Sequence, residues 1–181
     1  MMALLTIVML GCVGKDQGPI FPDNPNPPAP SPTPEPSEFP LISTDPAFVT
    51  EAMTEDITVI LNTAGTAADG FSGELYAHTG VLTTDSSSTG DWKHVLSEWG
   101  ENIPECKLES KGANIWHYTI KGGVHAWYNV PDTEKVTHIA FVFRSADSTN
   151  EVKDNGSDIV IELSVEGLSV KILSPAHGAI L

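Results

Sequence analysis

The sequence predicts an all-β fold, and three observations carry that prediction. Five short runs rich in β-branched and aromatic residues recur between residues 57 and 165. Gly, Asn, Asp and Ser turns separate them, and no long amphipathic helical pattern competes. Short strands at that spacing belong to an antiparallel β-sandwich of the immunoglobulin-like kind. A disordered Pro-rich linker is expected ahead of it, so the 181 residues hold one folded domain of ordinary size.

The predicted strands, in order, are "ITVILNT" (57–63), "GELYAHTGVLT" (73–83), "NIWHYTI" (114–120), "VTHIAFVFRSA" (136–146) and "DIVIELSV" (158–165). "IAFVFR" is apolar on both faces and is expected at the centre of a sheet, whereas "IVIEL" alternates less strictly and is expected nearer an edge. Side chains on a strand alternate between faces. Trp116, Tyr118 and Ile120 therefore share one face, and Ile115, His117 and Thr119 the other, which makes Trp116 a core residue.

The stretch "GDWKHVLSEWGENIP" (90–104) leaves two readings open. As a helix, Trp92, Val95, Leu96 and Trp99 fall on one face, with Asp91 as N-cap and Gly100 just past the end. As a strand, Trp92, His94 and Leu96 point one way and Trp99 lies in the loop beyond.

The folded part is expected from Ala47 to about residue 166. The N-terminus, "MMALLTIVMLGCVGKDQGP", has an apolar run too short to span a bilayer but long enough for the hydrophobic region of a secretory signal. It ends in "MLGC", which resembles the lipobox of bacterial lipoproteins and makes Cys12 the lipidated first residue of the mature chain. Met9 stands where leucine is usual, and no Lys or Arg precedes the run. The alternative is an ordinary signal peptide that contains a cysteine. "KDQ" loosely resembles the signal that sends some lipoproteins of Gram-negative glycan degraders to the outer face, so the expected location is the cell surface, as an outer-membrane lipoprotein. From Gly18 to Pro46 there are 11 prolines and no Lys or Arg. Proline fixes φ and removes donors, so this segment is expected to be a semi-rigid spacer within a tether over 13–46. With Cys12 lipidated, Cys106 has no disulfide partner and is expected as a small packed thiol.

Nine Lys plus Arg against 24 Asp plus Glu give a formal net charge of −15. Phosphate backbones and anionic lipid surfaces are repelled by such a chain, so nucleic acid is not an expected partner. The membrane is reached through the lipid on Cys12. No nucleophile elbow, phosphate-cradling glycine loop or HExxH motif is present. "KDNGSD", with Asp154, Asn155 and Asp158, lacks the remaining ligands of a calcium loop and is expected as a solvated turn. The six histidines show no metal-ligand spacing, so neither a metal nor a cofactor is expected.

The run "YAHTGVLTTDSSSTGDWKHVLSEWGENIPECKLES", then "NIWHYTI" and "WYNVPDTEKVTHIAFVFRSADSTNEVKDNGSDIVIEL", resembles the immunoglobulin-like N-terminal module of outer-membrane α-amylase-family lipoproteins from glycan-degrading Gram-negative bacteria. The resemblance covers roughly residues 57–165. Asn129, Ser148 and Ser157 stand where that family has turn glycines. It implies a sandwich related to modules that bind α-glucans, placed ahead of a catalytic barrel, and it favours the strand reading of "WKHV". An aromatic ring receives the C–H face of a glucose ring, and neutral hydroxyls need only hydrogen bonds, so an acidic surface does not repel such a ligand. The candidate contacts are Tyr76, Trp92, Trp99 and Trp127 for stacking, with His78 and His94 as hydrogen-bonding neighbours.

A retaining glycosidase needs two carboxylates on a rigid scaffold, in this family a barrel that would not fit in this chain. The chain alone is therefore expected to be no enzyme. Residues 167–181, with "VKILSP", are expected to open a further, truncated domain, against the alternative of a final strand pairing back onto the sandwich. Two functions follow: a surface-tethered starch or maltooligosaccharide binder, which requires exposed aromatic rings, or a passive spacer that positions a hydrolase, which requires packed ones.

Overall fold

The computed structural model describes residues 40–165. The apolar leader with Cys12, most of the Pro-rich tether and the "VKILSP" run lie outside the described residues. The strands are β1 (Ile42–Asp45), β2 (Ile57–Asn62), β3 (Leu75–Thr83), β4 (Glu109–Gly112), β5 (Ile115–Ile120), β6 (Val136–Ser145), β7 (Glu151–Val152) and β8 (Ile159–Glu162). One six-residue helix, α1 (Gly123–Tyr128), and a 3₁₀ turn at Pro104–Cys106 complete the described elements.

Two antiparallel sheets form a β-sandwich. The first has the order β1-β2-β5-β4. In the second, β3 pairs along nearly the whole length of β6, and β7 and β8 both pair with β6 as well. All five predicted strands are present, each within two or three residues of its expected ends. β6 is central and β8 is an edge strand, as its looser alternation predicts. Ile57, Val59 and Leu61 of β2 and Trp116, Tyr118 and Ile120 of β5 form the inner face of the first sheet. They meet Leu75, Ala77 and Val81 of β3 and Ile139, Phe141 and Phe143 of β6. Phe141 stacks on Phe143 at 5.2 Å between ring centres and meets Tyr118 edge-on at 5.9 Å, which joins the layers.

The expected boundary at Ala47 falls too late. β1 lies ahead of it and pairs with β2 over Ile42↔Leu61 to Asp45↔Thr58. The five residues between Pro40 and Pro46 contain no proline, so their donors are free to form a ladder at a sheet edge, the one place where flanking prolines are tolerated.

The helix α1 was not expected either. Its sequence, "GVHAWY", has no amphipathic length; the backbone around it defines it instead. Gly122 before it (φ 68°) and Asn129 after it (φ 53°) are both left-handed, and the Asn129 N–H donates to His125 O. Asparagine is the commonest non-glycine residue for such a C-terminal position. Inside, Thr79 Oγ1 donates to Ala140 O (2.9 Å), so the Tyr128 hydroxyl donates to Thr79 (2.7 Å) and fastens α1 to the second sheet.

Ser148 also holds a left-handed conformation, φ 58°, in the turn from β6 to β7. A side chain there costs about 1–2 kcal/mol, part of which glycine gives back in unfolded-state entropy. Ser148→Gly is therefore expected to stabilise the domain by about 0.5–1 kcal/mol, seen as a higher denaturation midpoint at unchanged slope.

Candidate functional site

β3 and β6 are buried on both faces, although only their inner faces meet the first sheet. The outer face carries Tyr76, His78 and Gly80 on β3, beside Arg144, Val142 and Ala140 on β6. Segment 84–108 covers it. That segment is hung on the free edge of β3 at both ends. Lys93 exchanges two backbone hydrogen bonds with Val81 (2.7 and 2.9 Å), and the Leu96 N–H donates to Thr79 O (3.1 Å). At the far end the Leu108 N–H donates to Leu75 O (2.9 Å), and Lys107 bridges Tyr76. A glycine is required at position 80, because a Cβ would stand 2.9 Å from Lys93 O and 3.0 Å from a Val95 methyl.

The helical reading of residues 90–104 does not survive, and of the strand reading only the placement of Trp99 in the loop beyond does. The structure has no α-helix there and no strand, only the single bridge at Lys93 and, at Pro104, the start of the 3₁₀ turn. His94 takes a left-handed backbone, φ 49°, which breaks the alternation that a strand needs. Trp92 and His94 consequently face different neighbours. His94 Nε2 pairs with Glu134 Oε2 at 2.8 Å, away from the tryptophans. That contact holds the Glu134 carboxyl below its usual range.

Trp92, Trp99 and His78 come together. The His78 ring stacks on Trp92 (5.4 Å, 28°) and meets Trp99 edge-on (5.1 Å, 85°). Trp92 is half-buried and its Nε1 donates to Thr89 O (2.9 Å). Trp99 remains 47% exposed, with Val95 beside it. The three rings, Val95 and Val142 line a groove of about 570 Å³, rimmed by Asp91, Glu151, Lys153 and Asp158. A second hollow shares His78, Val95 and Trp99 and adds Glu98 and Glu101. Burial, and after it the nearby Arg144 charge, lowers the His78 pKa, so the imidazole is neutral at pH 7.

The other candidates fall elsewhere. Tyr76 lies almost wholly buried at the end of the same face, its hydroxyl donating to Glu74 (3.0 Å). The same Glu74 carboxylate pairs with Lys107. Trp127 sits on α1, where its ring packs edge-on to Tyr118 and its Nε1 donates to the Tyr118 hydroxyl (2.8 Å). Its hydrogen-bonding capacity and one ring edge are used inside the fold. Arg144 was missed by sequence reasoning: it ends "IAFVFR" and reads as the polar limit of a strand, yet it is 1% exposed. Cys106 is buried and its thiol pKa is raised, chiefly by that burial, which fits a packed thiol.

Asp91 anchors the turn that precedes Trp92. Its carboxylate accepts from Lys93 Nζ (2.7 Å), the Ser87 N–H (2.9 Å) and the Ser87 hydroxyl (3.1 Å), and these donors, Lys93 first, hold its pKa down to about 2. A depressed carboxylate contributes stability that is present above its ordinary pKa and is lost as pH falls through the folded value. The turn is therefore expected to loosen between about pH 4 and pH 2, and Asp91→Asn to remove that pH dependence; the Trp92 indole N–H resonance measures both. No protein-family model matches the chain, and no curated protein matches it.

Proposed function

We propose that the chain is a surface-tethered α-glucan-binding module, the N-terminal part of an α-amylase-family glycoside hydrolase, which takes starch or maltooligosaccharide chains in the groove between Trp92 and Trp99. The observation that carries the proposal is the indole of Trp99, about half exposed beside His78 in a groove rimmed by hydrogen-bonding side chains. An apolar ring face with polar groups at its margin matches a pyranose, which offers a C–H face and a hydroxyl rim. The resemblance of residues 57–165 to modules of that enzyme family supports the same ligand class. In this proposal Cys12 carries the lipid that anchors the chain in the outer membrane, facing outwards, and catalysis belongs to an attached barrel.

A passive spacer is the competing reading. It is favoured by Trp116 in the core and by the internal hydrogen bonds of Trp92 and Trp127. Titration of the purified chain with maltoheptaose, with cellohexaose as control, separates the two through tryptophan fluorescence. A saturable change with the α-glucan alone is expected. A folded chain that responds to neither sugar overturns the binding proposal and leaves the spacer.

A further inference from the structure

We propose that Arg144 is the positioning residue of the groove: its guanidinium, sealed beneath the covering segment, ties residues 99–102 to β6 and so sets where the Trp99 indole stands. The consequence for sugar affinity rests on the function proposed above; the tie itself does not. Arg144 Nη2 donates to Glu101 O (2.5 Å), and Nη1 donates to Asn102 Oδ1 (2.8 Å) and Ser145 O (3.1 Å). Asn102 Nδ2 returns a bond to Ala146 O at the end of β6 (3.0 Å). The guanidinium carbon lies 5.8 Å from the ring centres of both Trp99 and Tyr76, so the cation sits between two aromatic rings.

The charge state makes the placement informative. Glu151 is directly opposite Arg144 in the β6–β7 ladder, yet it pairs with Lys153 at 3.2 Å. Among the described residues no carboxylate forms an ion pair with Arg144, and its Nε has no hydrogen-bond partner. A buried charge without a counter-ion is costly, and an apolar side chain would fill the same space with less penalty. What an apolar residue would not supply is the forked set of donors that reaches two loop oxygens and a strand carbonyl at once. Lysine, a point charge on a flexible stem, would not supply it either. The same cation faces His78, whose other charged neighbours are Glu98 and Asp158, with Asp91, Glu101, Glu151 and Lys153 around the groove.

The full chain labelled with 5-fluorotryptophan tests this, with the Trp99 fluorine resonance assigned through Trp99→Phe. In Arg144→Met the Trp99 resonance is expected to move more than the other three and to become more sensitive to solvent. The His78 titration midpoint, followed by NMR, is expected to rise, and maltoheptaose affinity to fall about tenfold. Arg144→Lys is expected to restore the His78 midpoint but not the Trp99 resonance, which separates the charge from the tie. If Arg144→Met does not fold, Asn102→Ala, at an exposed position, removes one fastener while Glu101 O and Ser145 O still hold the guanidinium, and is expected to shift Trp99 in a chain that still folds. An unmoved Trp99 resonance in folded Arg144→Met, or in Asn102→Ala where the former is unfolded, overturns the proposal. A Trp99 resonance that responds in a chain that binds no maltoheptaose keeps the tie and discards the sugar reading.

Discussion

Phe141→Ala is expected to cost about 3–5 kcal/mol of unfolding free energy, a large share of the roughly 5–15 kcal/mol that holds a domain of this size. Phe141 is fully buried on the central strand, stacks on Phe143 and touches Tyr118 of the opposite sheet. Its removal takes away the transfer free energy of the ring and leaves a cavity between two layers whose backbones are fixed by their ladders, so little can collapse into the space. Urea denaturation followed by circular dichroism measures the loss. Phe141→Leu, which keeps most of the volume, is expected to cost less than half as much. Equal losses from the two variants would place the effect in strand propensity instead of packing.

The second large effect concerns binding. Trp99→Ala is expected to weaken maltoheptaose binding by about 1.4–2.8 kcal/mol, roughly tenfold to a hundredfold, with the melting temperature nearly unchanged. The half-exposed ring contributes little to the core, so folding and binding separate at this residue. Trp92→Ala is expected to act on both. Its ring packs on His78 and its Nε1 is bonded within the loop, so the variant loses local order together with one wall of the groove. Isothermal titration beside thermal unfolding gives both readouts. Unchanged affinity in folded Trp99→Ala sinks the placement of the sugar in this groove.

How far the sequence reveals this molecule depends on where each residue's environment comes from. β2, β3, β5, β6 and β8 are legible because burial on one or both faces selects β-branched and aromatic side chains within the strand itself. β4 is not: Glu109–Gly112 is exposed throughout, so its strand character comes from pairing with β5 and leaves no hydrophobic trace. β7 fails for a different reason: Val152 is buried, but two residues are too few to show a period. β1 was hidden by the prolines around it.

At the candidate site, Trp92 and Trp99 were legible as residue types, because aromatic rings set among turn residues have no core to serve in their own segment, and His78 because it is a polar ring within a largely apolar strand. Their conformation was not legible. Residues 90–104 follow the edge of β3 and the space left by Gly80, so neither helical nor strand periodicity describes them. His94 and Trp127 were drawn elsewhere by partners 40 and 9 residues away in sequence, Glu134 and Tyr118. Arg144 was beyond reach, because its burial is produced by a distant segment lying across it.

The attachment of segment 84–108 at both ends has a bearing on how this surface can change. The free edge of β3, which would otherwise offer unpaired backbone groups to another chain, is occupied at Val81, Thr79 and Leu75 by the segment's own two ends. Between those attachments, residues 97–103 carry the exposed ring but contribute nothing to the ladder. Such an arrangement tolerates exchange within limits: the span can be varied while the edge stays capped, provided that Glu101 and Asn102 keep their bonds to the buried Arg144. The domain is in this sense a frame with one replaceable panel, and the stretch from Ser97 to Gly100, short of the residues that hold Arg144, is where a new surface can be installed at least risk to the fold.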